Sequence, residues 1–272
     1  MSAPDDPSFG RWLAAARRMA QRPAPRPREA FVLAGQVVGS VAPGFLQQID
    51  LARLAEQGGR LRQHSGAWHL EAAPEARTAA LNALAVALRD AQLCGPWRNE
   101  QLAVCNPQGE RLATVERGAV RVLGVGTCAV HLVGLASDGR MWVQQRARDK
   151  PNDPGLWDTL MGGMVGAADT LAQALARETW EEAGLRVADL VGVAHGGHVL
   201  LERPSSDGGG AGYMVERIDW FRARLPDGML PCNQDGEVQR FELLPPSTLR
   251  AWLVQGLFTL EASLVIAGFL GL

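Results

Sequence analysis

The sequence predicts a mixed α/β chain, α+β in its detail, with a smaller N-terminal part ahead of a larger one. Three observations predict it. Apolar, partly β-branched runs alternate with stretches of good helix formers along the chain. Turn clusters such as Asn106-Pro107-Gln108-Gly109 and Asp138-Gly139 separate them. One helix has both ends written in its flanks: Thr170 can cap it, Gln173 stands three residues on at capping-box spacing, and Gly184 supplies the stop. At 272 residues the chain has room for about two domains, and 47% hydrophobic residues support sizeable cores. The expected division is a helical or flexible segment and linker over 1–28, an α+β domain over 29–118 and a larger domain over 119–272.

Composition excludes several function classes. A net charge of −2 argues against a general nucleic-acid binder. Cys94, Cys105, Cys128 and Cys232 form no Cys-x-x-Cys pair, so no zinc or redox motif is indicated, and scattered thiols fit a reducing cytosol. The N-terminus has no apolar signal core. Arg11, Arg17, Arg18, Arg22, Arg26 and Arg28 occur without an acid among them, as in organelle leaders, but Asp5 and Asp6 and the Arg bias of the whole chain count against that. The expected location is cytoplasmic. The apolar run Ala262–Leu272 is eleven residues, short of the ~20 a membrane helix needs, and reads as a buried terminal helix. No membrane or nucleic-acid partner is expected.

Taken in order, residues 1–10 read as disordered and Phe9–Gln21 as a short basic amphipathic helix around Trp12, Leu13 and Met19. Arg22–Arg28 alternates Arg with Pro and Ala, an extended linker. Phe31–Val41 reads as a strand, Pro43–Glu56 as a helix, and Arg60–Leu70 as a hairpin arm around Gly66. Pro74–Leu93 is a helix with Pro74 in its first turn and Leu81, Leu84 and Leu88 on one face. Gln101–Cys105 and Arg111–Glu116 read as paired strands, and Thr127–Ala136 and Arg140–Arg146 as a hairpin. Trp157-Asp158 follows a Pro-Gly turn. Leu190–Leu200 and Tyr213–Arg224 are strands around a Gly/Ser-rich loop, Pro204–Gly212, expected to be mobile. Val238–Leu244 is a strand, and Pro245-Pro246-Ser247 starts a helix through Trp252. His64, His69, His195 and His198 are read as structural.

The chemistry concentrates at the capped helix. Glu178, Glu181 and Glu182 stand one, three and four residues apart, which places them on one helical face. Like charges at that spacing repel, and a hard divalent cation turns the repulsion into attraction. Arg177 can hold one carboxylate by a bidentate pair. Gly162, Gly163 and Gly166 crowd the approach, where backbone must come close to something. Ala172, Ala176, Thr179 and Ala183 form a small-residue stripe expected to pack on a sheet. Of 27 basic residues only Lys150 is lysine, a compact ammonium suited to phosphate, just ahead of the Gly-rich approach.

These residues resemble the Nudix box, Gly-x5-Glu-x7-Arg-Glu-U-x-Glu-Glu-x-Gly-U with U aliphatic. Gly163, Arg177, Glu178, Glu181, Glu182, Gly184 and Leu185 fill their positions. Asp169 stands where the family has Glu, one methylene shorter, which leaves that position's salt bridge open. Thr179 replaces an aliphatic packing residue. The similarity extends to Trp97-Arg98-Asn99-Glu100, Glu116-Arg117, Val130-His131-Leu132, Arg146-x-x-x-Lys150, Pro154-Gly155, Asp235-Gly236-Glu237-Val238 and Gly256-Leu257-Phe258. Together these look like a Nudix subgroup with an N-terminal extension, some members of which are fused to thiamine pyrophosphokinase. The basic ending usual in that subgroup is absent after Phe269-Leu270-Gly271-Leu272.

The resemblance implies an α/β/α sandwich around a mixed sheet and a Mg²⁺- or Mn²⁺-dependent diphosphatase. Relatives act on thiamine diphosphate and its oxidised forms, releasing a monophosphate and phosphate. Carried onto this chain, Glu178, Glu181 and Glu182 are the metal ligands, with Gly163 as an additional one through its carbonyl. Arg177 orients them. Glu237, with Asp235 behind it, or a box glutamate is the base. Arg146, Arg148, Lys150 and Asp158 are on the substrate side. Three other readings stay open. One is a Nudix hydrolase of ADP-sugars, dinucleotides or nucleotides. Another is an isopentenyl diphosphate isomerase, which needs a Cys beside the box where none lies between Cys128 and Cys232. The third is a non-catalytic diphosphate-binding module. Residues before 95 carry no readable chemistry; they cover the site, select substrate or build a homodimer.

Overall fold

A computed structural model describes residues 7–272, and what was expected of residues 1–6 lies outside them. The first helix, α1 (Pro7–Ala20), starts inside the stretch read as disordered, because Phe9 is buried against the C-terminal helices. A four-stranded sheet follows, built from β1 (Glu29–Leu33), β2 (Gln36–Val41), β3 (Arg60–His64) and β4 (Ala67–Glu71) in the order β2-β1-β4-β3. The strand expected over Phe31–Val41 is thus two. Ala34 and Gly35 both take positive φ, 53° and 76°, which is the two-residue turn that suits a twisted hairpin.

The helix expected over Pro43–Glu56 is also broken. A 3-10 turn at Leu46–Gln48 ends in extended Ile49, and α2 (Ala52–Glu56) begins where Asp50 accepts from the Ala52 amide at 2.9 Å. α3 (Arg77–Asp90), preceded by a turn at Pro74–Ala76, buries Leu81, Leu84 and Leu88 on this first core. The hairpin β5 (Gln101–Cys105) and β6 (Arg111–Glu116) and the single turn α4 (Arg117–Val120) add to it. That core draws on residues from Phe31 to Val125.

The second layer is a mixed sheet ordered β11-β12-β7-β8-β13, with β10 on β7 and β9 on β8. Its strands are β7 (Gly126–Leu135), β8 (Met141–Arg146), β9 (Trp157–Asp158), β10 (Met161–Met164), β11 (Val191–Pro204), β12 (Tyr213–Arg224) and β13 (Val238–Leu244). β12 runs parallel to β7, with Val215 opposite Gly126 and Arg224 opposite Leu135. Alternation along β7 serves two cores. Val130 and Leu132 pack with α5 (Leu171–Ala183), whereas Ala129 and Val133 pack with the terminal helices.

Between β11 and β12 the expected mobile loop folds into a single turn, α6 (Asp207–Gly210). Gly208 and Gly209 are left-handed there, and the Ser205 hydroxyl donates to Asp207 at 2.7 Å. α7 (Pro246–Val254) and α8 (Leu260–Phe269) close the sheet's other face, with α1 against both. The result is helix, sheet, helix, with the first core attached beside it. Among the described residues no helix is long and apolar enough to cross a membrane.

Candidate active site

The cap residues place α5 as the sequence indicates. Thr170 Oγ1 accepts from the Gln173 amide at 3.3 Å, the Gln173 side chain accepts from the Thr170 amide at 2.9 Å, and Gly184 is left-handed at φ 63°. The buried stripe differs from the expected one. Ala172 and Ala176 are exposed; Ala174, Leu175, Thr179, Glu182 and Ala183 are buried. At 100° per residue the 174/175, 178/179 and 182/183 pairs form one face, so Glu178 and Glu182 lie along the buried side and Glu181 outside it.

Arg177 is the hub of the helix start. Its Nη2 and Nε donate to Asp169 Oδ2 at 2.8 and 3.1 Å, and its Nη1 donates to Glu178 Oε1 at 2.7 Å and Glu181 Oε2 at 3.1 Å. Nη2 also donates to the Met164 carbonyl at 3.1 Å. Burial by itself would lower the guanidinium pKa, but Asp169, Glu178 and Glu181 raise it. The salt bridge left open by Asp169 is therefore made.

Glu182 is 2% exposed. Its Oε2 accepts from Gln144 Nε2 at 2.7 Å and from the Gly162 amide at 2.9 Å. Burial still outweighs these bonds and the Lys150 charge, and pushes its pKa up to about 8. Glu178 is raised too, by burial, with Arg177 opposing. A side chain at Gly163 would overlap the Glu178 carboxyl, and one at Gly162 would meet the His131 ring at 2.7 Å. The glycines thus let β10 lie flush against the acids.

Glu178, Glu182, Gly162 and Gly163 open on one cleft. Its walls also carry Arg146, Lys150, Asp158 and Glu237. Lys150 is bonded to Glu237. Burial would raise Glu237, but the Lys150 bond and charge prevail and hold it below the usual range. Arg146 Nη1 is 3.6 Å from Asp158 Oδ2, and its Nη2 donates to the Asn152 carbonyl at 3.0 Å. Buried Asp158 accepts from the Thr159 amide at 2.8 Å. Two candidates stand apart: Arg148 is exposed and does not line the cleft, and Glu181, its side chain 42% exposed, is turned to Arg177. Asp235 accepts from the Glu237 amide at 2.8 Å and shapes that turn.

The cleft also holds Arg117, which the sequence offered only as part of the Glu116-Arg117 motif and without a site role, and Arg121, Glu216 and Glu261, which sequence reasoning did not propose for the site. Glu216 had a signal, because it interrupts the alternating buried face Met214, Ile218, Trp220 of β12. His195, read as structural without an acid near it in sequence, receives one across the sheet, Asp219 Oδ1 at 2.8 Å.

Hard divalent cations such as Mg²⁺ and Mn²⁺ take oxygen ligands. Glu178 and Glu182, a turn apart beside a position too tight for any side chain, offer that chemistry. Among the described residues no three His, Cys, Asp or Glu groups already stand close enough to hold an ion. The donor set fits in kind, with two box carboxylates on the cleft and the third, Glu181, held beside them by Arg177.

Residues 127–261 match the NUDIX domain. Nudix hydrolase 24, chloroplastic, of Arabidopsis thaliana is 27% identical over 257 residues, covering 88% of this chain and 66% of the relative. Nudix hydrolase 20, chloroplastic, of the same plant is 28% identical over the same shares. The chain thus spans just under two thirds of the length of both. A crystal structure of DR0079 from Deinococcus radiodurans overlays with a TM-score of 0.48 at 20% identity, covering 62% of this chain and 97% of that one. The family match runs from the second residue of β7 to the second residue of α8 and takes in every strand of the mixed sheet, so residues 127–261 are similar to the Nudix superfamily over that whole sheet.

Proposed function

We propose that this chain is a metal-dependent Nudix diphosphatase of a small organic diphosphate, with thiamine diphosphate or its oxidised derivatives as the substrate class. The observation that carries it is the opening of Glu178 and Glu182 on one cleft whose walls also bear Lys150 and Arg146. The resemblance to the subgroup with the N-terminal extension supports the choice of substrate, and the relatives named Nudix hydrolases support the reaction class.

Glu178 and Glu182 would hold Mg²⁺ or Mn²⁺, with Gly163 beside them and Glu181 reached from the edge. When bound, the cation supplies charge neutralisation and an activated water for in-line displacement. Arg177 keeps Glu178 and Glu181 in place from behind. Arg146 and Lys150 bind phosphoryl oxygens; Arg148, exposed in the turn after β8, stays off the cleft. Phosphate arriving on Lys150 releases Glu237, which is then free to take a proton from the attacking water. Asp158 holds Arg146 in position.

The test is a phosphate-release screen with Mg²⁺ and with Mn²⁺ over thiamine diphosphate, its oxidised forms, ADP-ribose and nucleotides. Fastest turnover of ADP-ribose or a nucleotide replaces the substrate assignment. No release from any of them leaves a diphosphate-binding module. A cytoplasmic location and a homodimer belong to the same proposal, and fractionation and light scattering test them.

A further inference from the structure

The NUDIX match begins at residue 127, yet Arg117, in α4, and Arg121, just after it, line the same cleft as Glu178 and Glu182. Four residues apart on one turn, the two arginines share a face, where like charges repel unless an anion lies between them. Their backbone is fixed. Buried Glu116 accepts from the amides of Arg98 at 2.7 Å and Gly118 at 3.4 Å, and the Gly95 amide donates to the Gly118 carbonyl at 2.9 Å.

Each guanidinium is held from outside the cleft. Arg117 Nη1 is 2.7 Å from Glu100 Oε2, and Arg121 Nη1 is 3.7 Å from Asp207 Oδ2. Neither acid lines the cleft. A guanidinium has five N–H donors in a planar fork, so each keeps donors to spare for the cleft. The arginine and lysine that the NUDIX part places on the cleft differ: Lys150 and Arg146 face Glu237 and Asp158, which are themselves cleft residues.

We propose that Arg117 and Arg121 form an anion subsite for one phosphoryl group of the diphosphate, while Lys150 and Arg146 take the other. The segment before the NUDIX domain thereby completes the site and selects substrates by the charge of their far phosphoryl group. This rests on the diphosphatase reading. Planar bidentate donors suit phosphoryl oxygens better than a lone ammonium does.

The test uses the full chain and methylenediphosphonate, a diphosphate that cannot be hydrolysed, titrated calorimetrically with Mg²⁺ present. Arg117→Gln and Arg121→Gln should each weaken its binding about 10-fold or more, as loss of a charge-assisted pair does. Arg117→Lys should recover part of it. On the diphosphate found by the phosphate-release screen, the Gln variants should raise KM more than they lower kcat. If Arg117→Gln unfolds the chain, Arg121→Gln decides, because its grip on Asp207 is loose. Binding within twofold of the parent in both variants overturns the subsite while leaving the hydrolase reading intact. Loss of binding in the variants of a chain that hydrolyses nothing keeps the subsite and removes the hydrolase. No binding by the parent chain removes the subsite.

Discussion

Arg177 grips Asp169 through two nitrogens, at 2.8 and 3.1 Å, although Asp169 is one methylene shorter than the Glu of the box pattern. The Asp closes the pair because Gly166 turns the loop tightly, with the Asp169 amide donating to the Gly166 carbonyl at 3.0 Å. One guanidinium therefore ties the loop before α5 to two carboxylates on α5.

Asp169→Asn should loosen that tie. Hydrogen bonds to charged groups are worth about 1.5–3 kcal/mol; with Arg177 about a third exposed, the lower end is expected. Turnover should fall roughly 10-fold, as for supports behind a metal ligand. Asp169→Glu should stay near the parent. Denaturant titration and steady-state rates check both; an Asn variant as fast as the parent removes Arg177 as the orienting group.

Glu182→Gln keeps an oxygen for Gly162 and Gln144 but removes the charge. Hydrolysis should drop by about two orders of magnitude or more, the scale for losing an electrostatic contact in the transition state. Stability at pH 8.5 should hold or rise, since a buried unpaired charge has been removed. Near-normal turnover would remove Glu182 from the proposed metal site.

The pH dependence follows from the same residue. The Glu182 pKa is about 8 in the fold against an ordinary carboxyl value of 4.5. Between these values the folded state binds more protons than the unfolded one, so stability falls as pH rises through that window. A cation competes with that proton, so Mg²⁺ should raise Tm more at pH 8.5 than at pH 6. A Mg²⁺ effect on Tm that is flat from pH 6 to 9 contradicts this.

Gly163→Ala places a methyl group where the Glu178 carboxyl lies. The expected outcome is displacement of Glu178, a loss of about 1–3 kcal/mol from overpacking, and weakened Mg²⁺ binding by calorimetry. Unchanged Mg²⁺ affinity would show that Glu178 does not hold the ion.

Phe9 tests where α1 belongs. It is 8% exposed and packs with Trp12, ring centroids 4.9 Å apart, in the core that holds α7 and α8. Phe9→Ala should cost about 3 kcal/mol and increase hydrogen exchange in α8 before α3. Increased exchange in α3 instead would place α1 with the first core.

The sequence by itself determined what local forces decide. Capping residues and Gly184 set the ends of α5, apolar runs bounded by turn residues marked β7, β12 and β13, and the spacing of Glu178 and Glu182 put them a turn apart; these depend on backbone geometry within a few residues. It misjudged Phe31–Val41 and Pro43–Glu56, where short apolar runs are compatible with more than one local structure. Only the tertiary structure decided which face of α5 is buried, and hence that Glu181 turns to Arg177 while Glu182 is desolvated. Only it brought Arg117, Arg121 and Glu216 to the cleft, because convergence of distant segments follows from sheet order and packing, to which a residue's sequence neighbours are blind.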